Sequence, residues 1–164
     1  MHIRVGRSED LAPLTALYNH YIATTVATFD LEPFTLDQRE ELWFRHYAPT
    51  GRYRLLVAEE DGVILGYATS SPFRAKAAYD TSVETSIYLV PAATGKGVGR
   101  ALYAALFDSL AGEDLHRAYA LISLPNDASV ALHERFGFSL AGTMREIGRK
   151  FDRFWDVAFY EKPL

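Results

Sequence analysis

Residues 90–102 read VPAATGKGVGRAL, with glycines at alternate positions between a strand pattern and a helix pattern. Because glycine has no Cβ, the backbone here can approach a ligand closely and turn several N–H groups toward it. The first turn of the following helix adds unpaired N–H donors and a partial positive charge. This glycine loop therefore predicts a binding site for an anion, most naturally a pyrophosphate.

Two common nucleotide motifs do not fit the glycine loop. In the P-loop, Ser or Thr follows the Gly-Lys pair, whereas here Gly97 follows Lys96. A dinucleotide-binding G-x-G-x-x-G motif requires glycine where this chain has Leu102. The loop residues alone leave open whether the segment binds a ligand or only turns the chain.

The hydrophobic pattern on either side of the loop predicts the element order βααβββαβαββ. Asp61-Gly62 predicts a tight hairpin turn between antiparallel strands, and the helix after the glycine loop predicts a parallel strand pair. We therefore expect an α/β (α+β) fold with a mixed sheet of about seven strands and helices on both faces. The predicted strands cover residues 3–5, 55–58, 63–69, 81–90, 118–124, 139–148 and 156–161, and the later helices cover 99–111 and 126–135.

Two further helices are predicted ahead of the main sheet. We expect Ser8 to be the N-cap of the first. Thr35 and Gln38 form a capping-box pattern for the second, which is expected to continue to residues 49–51. Three residues of this second segment are expected to face inward: Leu42, Trp43 and Tyr47.

The composition fits one domain over residues 1–164, since the chain has 164 residues, 49% of them hydrophobic. It contains no cysteine, which excludes disulfide scaffolds, zinc–thiolate sites, thiolate nucleophiles and iron–sulfur ligation. The histidines show no metal-ligand spacing, so we expect no metal site.

The charge and the hydropathy of the sequence indicate which kinds of partner are not expected. The formal net charge of −4 has the wrong sign for binding phosphate backbones, so no nucleic acid is expected. No segment reaches the roughly 18 apolar residues of a membrane span, and the first residues lack a signal-peptide pattern. We therefore expect a cytoplasmic protein with no membrane partner. The charge is uneven, because residues 30–41 hold five acidic residues and one arginine.

Two landmarks resemble the GNAT superfamily of acetyl-CoA-dependent N-acetyltransferases. Thr94–Gly99 resembles its (R/Q)-x-x-G-x-(G/A) signature, with Thr94 in place of the usual basic or amide side chain. Asn126–Phe138 resembles its second landmark, an Asn-capped helix closed by Gly-Phe. The predicted element order is also that of the superfamily.

A closer resemblance, to phosphinothricin and methionine sulfoximine acetyltransferases, covers essentially the whole chain. It rests on Tyr18-Asn19-His20, Thr25–Phe29, Arg74, Ala78-Tyr79, Val83-Glu84, residues 124–127 and Trp155-Asp156. The resemblance implies a centrally splayed sheet, acetyl-CoA as co-substrate, a small-molecule amine as acceptor, and a homodimer with the pocket near the subunit boundary.

The resemblance also implies which residues hold the coenzyme. Backbone groups of one strand would pair with the pantetheine arm, because an extended amide-bearing ligand can align beside an exposed strand. The residues assigned to the coenzyme are Ile87, Tyr88, Leu89, Gly95, Lys96, Gly97, Val98, Gly99, Arg100 and Asn126.

Glu84 and His133 are the candidate catalytic residues. Glu84 interrupts a strand on the same face as Ser86 and Tyr88, and a partly buried carboxylate there could take a proton from an ammonium. The alternative is an edge-strand charge facing solvent. His133 stands where many superfamily members carry a tyrosine thought to protonate the leaving thiolate; we expect it to bind or orient more than to catalyse, or to pack on its helix.

A basic segment precedes the strand that carries Glu84. Arg74 can hold a planar carboxylate through two hydrogen bonds, whereas Lys76 offers a point charge. The alternative for Arg74 and Lys76 is a basic loop exposed to solvent. The alternative for the aromatic residues Phe29 and Tyr79 is that they belong to the core. The residues assigned to the acceptor substrate are Phe29, Phe73, Arg74, Ala75, Lys76, Tyr79, Glu84, Thr85 and Ser86.

The primary hypothesis is therefore N-acetylation of the α-amine of a small amino acid of the phosphinothricin, methionine sulfoximine or methionine sulfone type. A second hypothesis changes the acceptor to a protein amino terminus, a lysine or a polyamine, which the acidic residues 30–41 would suit. A third is a module that senses acetyl-CoA without catalysis. The absence of cysteine excludes an acetyl-cysteine intermediate and favours direct attack of the amine on the thioester.

Overall fold

Seven strands and four helices make up the computed structural model, which describes residues 1–164. The strands are β1 (His2–Val5), β2 (Leu55–Glu60), β3 (Val63–Pro72), β4 (Ser82–Leu89), β5 (Arg117–Ser123), β6 (Ser139–Lys150) and β7 (Arg153–Pro163). The helices are α1 (Leu11–Thr24), α2 (Leu36–Leu42), α3 (Val98–Leu110) and α4 (Asp127–Arg135). The predicted element order is confirmed.

The strands form one mixed sheet in the order β1-β2-β3-β4-β5-β7-β6. All neighbours are antiparallel except β4 and β5, which pair in parallel as predicted. That parallel pairing involves only three residues of β4, Ser82, Val83 and Glu84. Beyond Glu84 the two strands diverge, so the sheet is splayed at its centre.

Helices cover both faces of the sheet because its strands alternate apolar side chains between the two sides. On β2, Leu56 and Ala58 pack in a cluster with α3, whereas Leu55 and Val57 pack in a cluster with α1. Four apolar residues spaced four apart along α3 are buried, with Leu102 fully inaccessible: Val98, Leu102, Leu106 and Leu110. The predicted helices on both faces are confirmed.

The start of α1 differs from the prediction that Ser8 caps it. Ser8–Asp10 forms a short 3-10 turn ahead of the helix. The Arg7 backbone N–H donates to the Asp10 carboxylate at 2.7 Å, and the Arg4 guanidinium donates to both Asp10 oxygens at 2.7 and 2.8 Å. A carboxylate can accept several such bonds at once, so Asp10 caps the 3-10 turn, whereas α1 itself has no side-chain capping bond from Ser8 or Asp10.

The capping box of α2 is confirmed, since the Gln38 N–H donates to Thr35 Oγ1 at 3.2 Å and the Thr35 N–H donates to Gln38 Oε1 at 3.0 Å. The predicted length was wrong, because α2 ends at Leu42 and a 3-10 turn, Phe44–His46, follows. Leu42 is 61% exposed instead of facing inward. The buried side chain of α2 is Arg39.

The last two strands are longer than predicted. They are joined by a two-residue turn, Phe151-Asp152, in which both residues have positive φ. In addition to the pairing of β7 with β5, Lys150 holds the hairpin, since its Nζ donates to the Thr28 carbonyl at 2.8 Å. None of the four helices has both the length and the apolar character that crossing a lipid bilayer requires.

Candidate active site

A groove of about 700 Å³ runs from the splayed part of β4 past the glycine loop to α4. We call it the glycine-loop groove. Most residues predicted to hold the coenzyme line it: Ile87, Leu89, Gly95, Lys96, Gly97, Gly99, Arg100 and Asn126. Asn126 also accepts the Ser129 N–H at 3.2 Å and so caps α4, as predicted.

The loop presents free backbone donors to this groove. Gly97 lies in the left-handed region with φ of 83°, and its carbonyl accepts the first hydrogen bond of α3, from the Ala101 N–H at 3.0 Å. The N–H groups of residues 98–100 therefore have no partner within the helix. Lys96 and Arg100 are exposed beside them, and no acidic side chain lines the groove. This arrangement suits a long ligand that carries phosphate groups.

Two residues assigned to the coenzyme have side chains elsewhere. Val98 is 3% exposed and packs in the core beneath α3. Tyr88 lies with Glu84 and Ser86 on the other face of β4. Only their backbone groups are therefore available to a ligand in the groove.

The splay also leaves one side of β4 without a strand partner. No residue of β4 beyond Glu84 pairs with β5. Its backbone groups there are available to an extended ligand that carries amides, although the Leu89 carbonyl already accepts the Tyr21 hydroxyl at 2.8 Å.

A second cavity, of about 200 Å³, lies between β3, β4, α1 and α2. We call it the Glu84 cavity. Glu84 is half-buried there, and its carboxylate accepts no hydrogen bond from the protein. Burial raises the pKa of the Glu84 carboxyl above its usual value, and the nearby Arg74 guanidinium opposes that increase. Glu84 therefore lines a cavity as a carboxylate with increased proton affinity, and is not a fully solvated edge charge.

Arg39, which was not among the site residues predicted from the sequence, lines the Glu84 cavity and is 5% exposed. Its guanidinium carbon lies 4.0 Å from the ring centroid of Tyr18 and 3.8 Å from that of Trp43. The available signal was the spacing of Arg39 and Trp43 four residues apart, which places a cation and an indole on one helical face. The acidic residues around Arg39 instead suggested a surface suited to a cationic acceptor.

His133 is 3% exposed and held at both ring nitrogens. Nδ1 lies 2.7 Å from the Ser129 carbonyl, and Nε2 lies 2.8 Å from the Tyr103 hydroxyl. Because a carbonyl only accepts, Nδ1 carries the proton and Nε2 accepts from Tyr103. Burial lowers the pKa of His133, and the bond to the Ser129 carbonyl opposes this shift. His133 is therefore a buried histidine that is hydrogen-bonded to Tyr103. Both His133 and Asn126 line a small cavity beside the glycine-loop groove.

The structure separates residues that were assigned together to the acceptor. Ser86 lines the Glu84 cavity. Thr85 lies on the opposite side of β4, where its hydroxyl is 3.4 Å from Tyr103 Oη and donates to the Tyr119 carbonyl at 3.3 Å. In this strand, adjacent residues thus face different cavities.

Within one chain, the predicted basic segment, residues 73–76, does not line the Glu84 cavity. Phe73 stacks on Tyr119 with ring centroids 4.3 Å apart, and the Arg74 guanidinium lies 4.3 Å from the Phe73 ring. The next assigned residues are exposed: Ala75, Lys76 and Tyr79. Phe29 lies instead against Gly148, where an added Cβ would come within 2.1 Å of the Phe29 ring. The chain contains no cluster of three or more His, Cys, Asp or Glu residues that could hold a metal ion.

The glycine loop at the amino terminus of α3 and the unpaired edge of β4 form a site suited to a long ligand that carries phosphate groups and amides. Residues 14–138 match the family described as "Acetyltransferase (GNAT) family", and the chain belongs to that family. It is an acetyltransferase with acetyl-CoA as its co-substrate. The hypothesis of a non-catalytic module is therefore not supported.

Relatives with named activities are similar to this chain over its whole length. The chain is 60% identical to a phosphinothricin N-acetyltransferase of Streptomyces coelicolor, over 100% of this chain and 96% of that protein. It is 35% identical to an L-methionine sulfoximine/L-methionine sulfone acetyltransferase of Salmonella typhimurium, over 100% of this chain and 95% of that protein. A solved phosphinothricin acetyltransferase of Sinorhizobium meliloti in complex with AcCoA superposes with a TM-score of 0.93 at 34% identity, covering 99% and 88% of the two chains.

Proposed function

We propose that the protein transfers the acetyl group of acetyl-CoA to the α-amine of a small amino acid of the phosphinothricin, methionine sulfoximine or methionine sulfone type. The observation that carries this proposal is the position of Glu84, in a cavity on one face of the strand whose free edge borders the glycine-loop groove. The names of the relatives support the acceptor class.

In the proposed reaction, the acceptor amine lies beside Glu84 and the acetyl thioester lies along the free edge of β4. Glu84 takes a proton from the ammonium, directly or through a water, so that the nitrogen lone pair can form a bond to the thioester carbonyl carbon. A backbone N–H on the free edge of β4 stabilises the negative charge that develops on the carbonyl oxygen.

Collapse of this intermediate breaks the carbon–sulfur bond and completes the acetamide. The second amine proton is lost to solvent, and the departing thiolate takes a proton from solvent or through the Tyr103–His133 pair. Because a thiol has a pKa of about 8.5, its thiolate leaves readily, so the expected contribution of His133 is to hold Tyr103 and shape the groove.

The acceptor alternatives of a lysine or a polyamine are less well matched to the Glu84 cavity. Arg39 places a buried positive charge in its wall, which opposes entry of a second cation. Of the five acidic residues in 30–41 that suggested a cationic acceptor, Glu32, Asp37 and Glu41 are exposed, and none of the five lines the Glu84 cavity.

We also propose that the protein is a homodimer. Its support is a set of exposed apolar side chains on and beside the edge strand β6, which natural edge strands normally avoid. They are Leu140, Met144, Ile147, Phe151 and Phe154, each 48–59% exposed. A cytoplasmic location stays a prediction.

The test of the proposed function is the release of free thiol from acetyl-CoA with a panel of acceptors. We expect turnover with L-phosphinothricin, L-methionine sulfoximine and L-methionine sulfone, and little with spermidine or a peptide amine. Rates at the level of the acceptor-free control with all three amino acids would contradict the proposal.

A further inference from the structure

Arg39 is the feature of the Glu84 cavity that the proposed reaction does not yet use. The only protein hydrogen bond of its side chain goes from one terminal nitrogen to the Tyr67 hydroxyl at 3.3 Å. Its Nε is buried and has no partner. A guanidinium has five N–H donors, so most of its hydrogen-bonding capacity is unused within the chain.

Other arginines of the same protein show how it normally accommodates such a group. The side chains of Arg4 and Arg54 are 13% and 12% exposed. Arg4 pairs with Asp10 at 2.7 Å, and Arg54 pairs with Glu113 at 2.9 Å. Arg39 is buried and pairs with no carboxylate.

The aromatic rings around Arg39 offset only part of the cost of burying its charge. Tyr18 and Trp43 stack on the two faces of the guanidinium, and such contacts are worth about 2 kcal/mol when desolvated. They leave the N–H groups in the plane of the guanidinium without acceptors. A buried cation with unsatisfied donors is costly unless a negative group completes its shell.

The opposite charges on the cavity wall match an amino acid. Glu84 lines the same cavity as Arg39 and lies in β4, whereas Arg39 lies in α2. A ligand with an ammonium group near Glu84 and a negatively charged oxygen group near Arg39 would form a charge pair with each of these residues. Such a ligand also enters without leaving either buried charge unpaired.

We propose that Arg39 is the anion receptor of the Glu84 cavity and binds a negatively charged oxygen group of the acceptor, either its carboxylate or an acidic group of its side chain. The proposal rests on the proposed function for the identity of the acceptor. It makes Arg39, together with its aromatic clamp, a determinant of acceptor specificity. The sandwich between Tyr18 and Trp43 holds the guanidinium plane in one orientation, which favours planar recognition of an oxyanion.

The kinetic test compares Arg39→Gln and Arg39→Lys with the wild type. Loss of a hydrogen-bonded charge pair is expected to raise the KM for L-phosphinothricin about ten- to a hundredfold in Arg39→Gln. Arg39→Lys keeps the charge but loses the planar donors, so it should give an intermediate KM. The KM for acetyl-CoA should not change, because Arg39 does not line the glycine-loop groove.

Two acceptors separate the possible sources of the negative group. L-Methionine sulfone carries only a carboxylate, whereas L-phosphinothricin also carries a phosphinate. A raised KM for both acceptors assigns the carboxylate to Arg39, and a raised KM for phosphinothricin alone assigns the side-chain phosphinate. An unchanged KM for both acceptors in a folded Arg39→Gln protein would overturn the proposal. Arg45→Gln is the matched control, since Arg45 is exposed just beyond α2 and pairs only with Glu40 at 3.5 Å.

A binding measurement keeps this test independent of turnover. The protein has two tryptophans, and the Trp43 ring lies 3.8 Å from the guanidinium carbon of Arg39. Titrating L-phosphinothricin into the wild type without acetyl-CoA should change tryptophan fluorescence, and the change should be lost in Trp43→Phe and weakened in Arg39→Lys. An Arg39-dependent change without turnover would reject the proposed function alone. Turnover with an identical titration in wild type and Arg39→Lys would reject the role of Arg39 alone.

Discussion

The alternation of side chains along β4 decides what each of its residues can do. Glu84 and Ser86 face the Glu84 cavity, whereas Thr85 and Ile87 face α3 and the groove. A substitution at one of these positions should therefore affect one ligand and spare the other. Separate measurements of the KM for acetyl-CoA and the KM for the acceptor amine distinguish these two effects.

Glu84→Gln should lower kcat about a hundredfold or more while leaving the KM for acetyl-CoA nearly unchanged, because general-base catalysis typically contributes 10²- to 10⁴-fold. A base acts when deprotonated, so activity should fall as the pH decreases through the pKa of Glu84. Since burial raises that pKa and Arg74 only opposes the shift, this acid limb should lie above the usual glutamate pKa of about 4.3.

The measurement is a pH profile of kcat/KM for the wild type and Glu84→Gln. The Glu84→Gln profile should lack the acid limb. Glu9→Gln, which changes a 66% exposed carboxylate far from the cavity, serves as the control and should reproduce the wild-type profile. Equal losses of turnover and acetyl-CoA affinity in Glu84→Gln would mean that Glu84 is structural.

At the level of elements, local patterns predicted well wherever they carried a strong backbone requirement. Asp61-Gly62 predicted the hairpin turn, and both residues have positive φ. The glycine loop and the Asn126 cap predicted where α3 and α4 begin. These patterns act within a few residues, so the sequence shows them directly.

Features that depend on tertiary contacts were predicted incompletely or not at all. The Phe151-Asp152 turn has positive φ without a glycine, so the sequence contained no turn signal and both flanking strands were predicted too short. The burial of Arg39 depends on rings from α1 and from the residue after α2, and no local pattern indicates that Tyr18 would pack there. The Glu84 cavity was for this reason less predictable than the glycine-loop groove.

The amino terminus of α3 gives a prediction at the element scale. Gly97→Ala places a side chain at φ of 83°, which costs about 1–2 kcal/mol in the left-handed region or shifts the loop. Because the amides of this loop are the proposed pyrophosphate donors, we expect the KM for acetyl-CoA to rise at least several-fold. Kinetics and thermal unfolding of the purified variant measure both effects.

Gly62→Ala is the matched control for Gly97→Ala. Gly62 has φ of 79° and, like Gly97, nothing within 4 Å of an added Cβ, but it lies in the β2–β3 turn. It should lose similar stability and keep the wild-type KM for acetyl-CoA. If Gly97→Ala changed stability alone, the loop would be only a turn between β4 and α3.

At the scale of the whole molecule, the β6–β7 hairpin connects the proposed dimer surface to the Glu84 cavity. Lys150 bonds the Thr28 carbonyl, and the Thr28 hydroxyl lies 2.7 Å from the Tyr18 hydroxyl. Tyr18 in turn stacks on Arg39. A contact that fixes the hairpin in a dimer would thus also restrain one wall of the Glu84 cavity.

Ile147→Asp should convert the proposed homodimer to a monomer, because it places a charge among the exposed apolar side chains of β6. Analytical ultracentrifugation over a range of protein concentrations measures the change in mass. Val63→Asp is the control, since Val63 is 60% exposed at the start of β3 on another part of the surface. A wild-type protein that sediments as a monomer at all concentrations would reject the dimer.

The short pairing of β4 with β5 affects the stability of the protein before it binds acetyl-CoA. Without coenzyme, the sheet contains an open strand edge in its interior, and open edges are templates for pairing with other chains. A ligand that covers this edge only in the folded state adds about 2.7 kcal/mol of stability at a hundred times its Kd. We therefore expect bound acetyl-CoA to stabilise the folded protein against aggregation as well as to serve as its substrate.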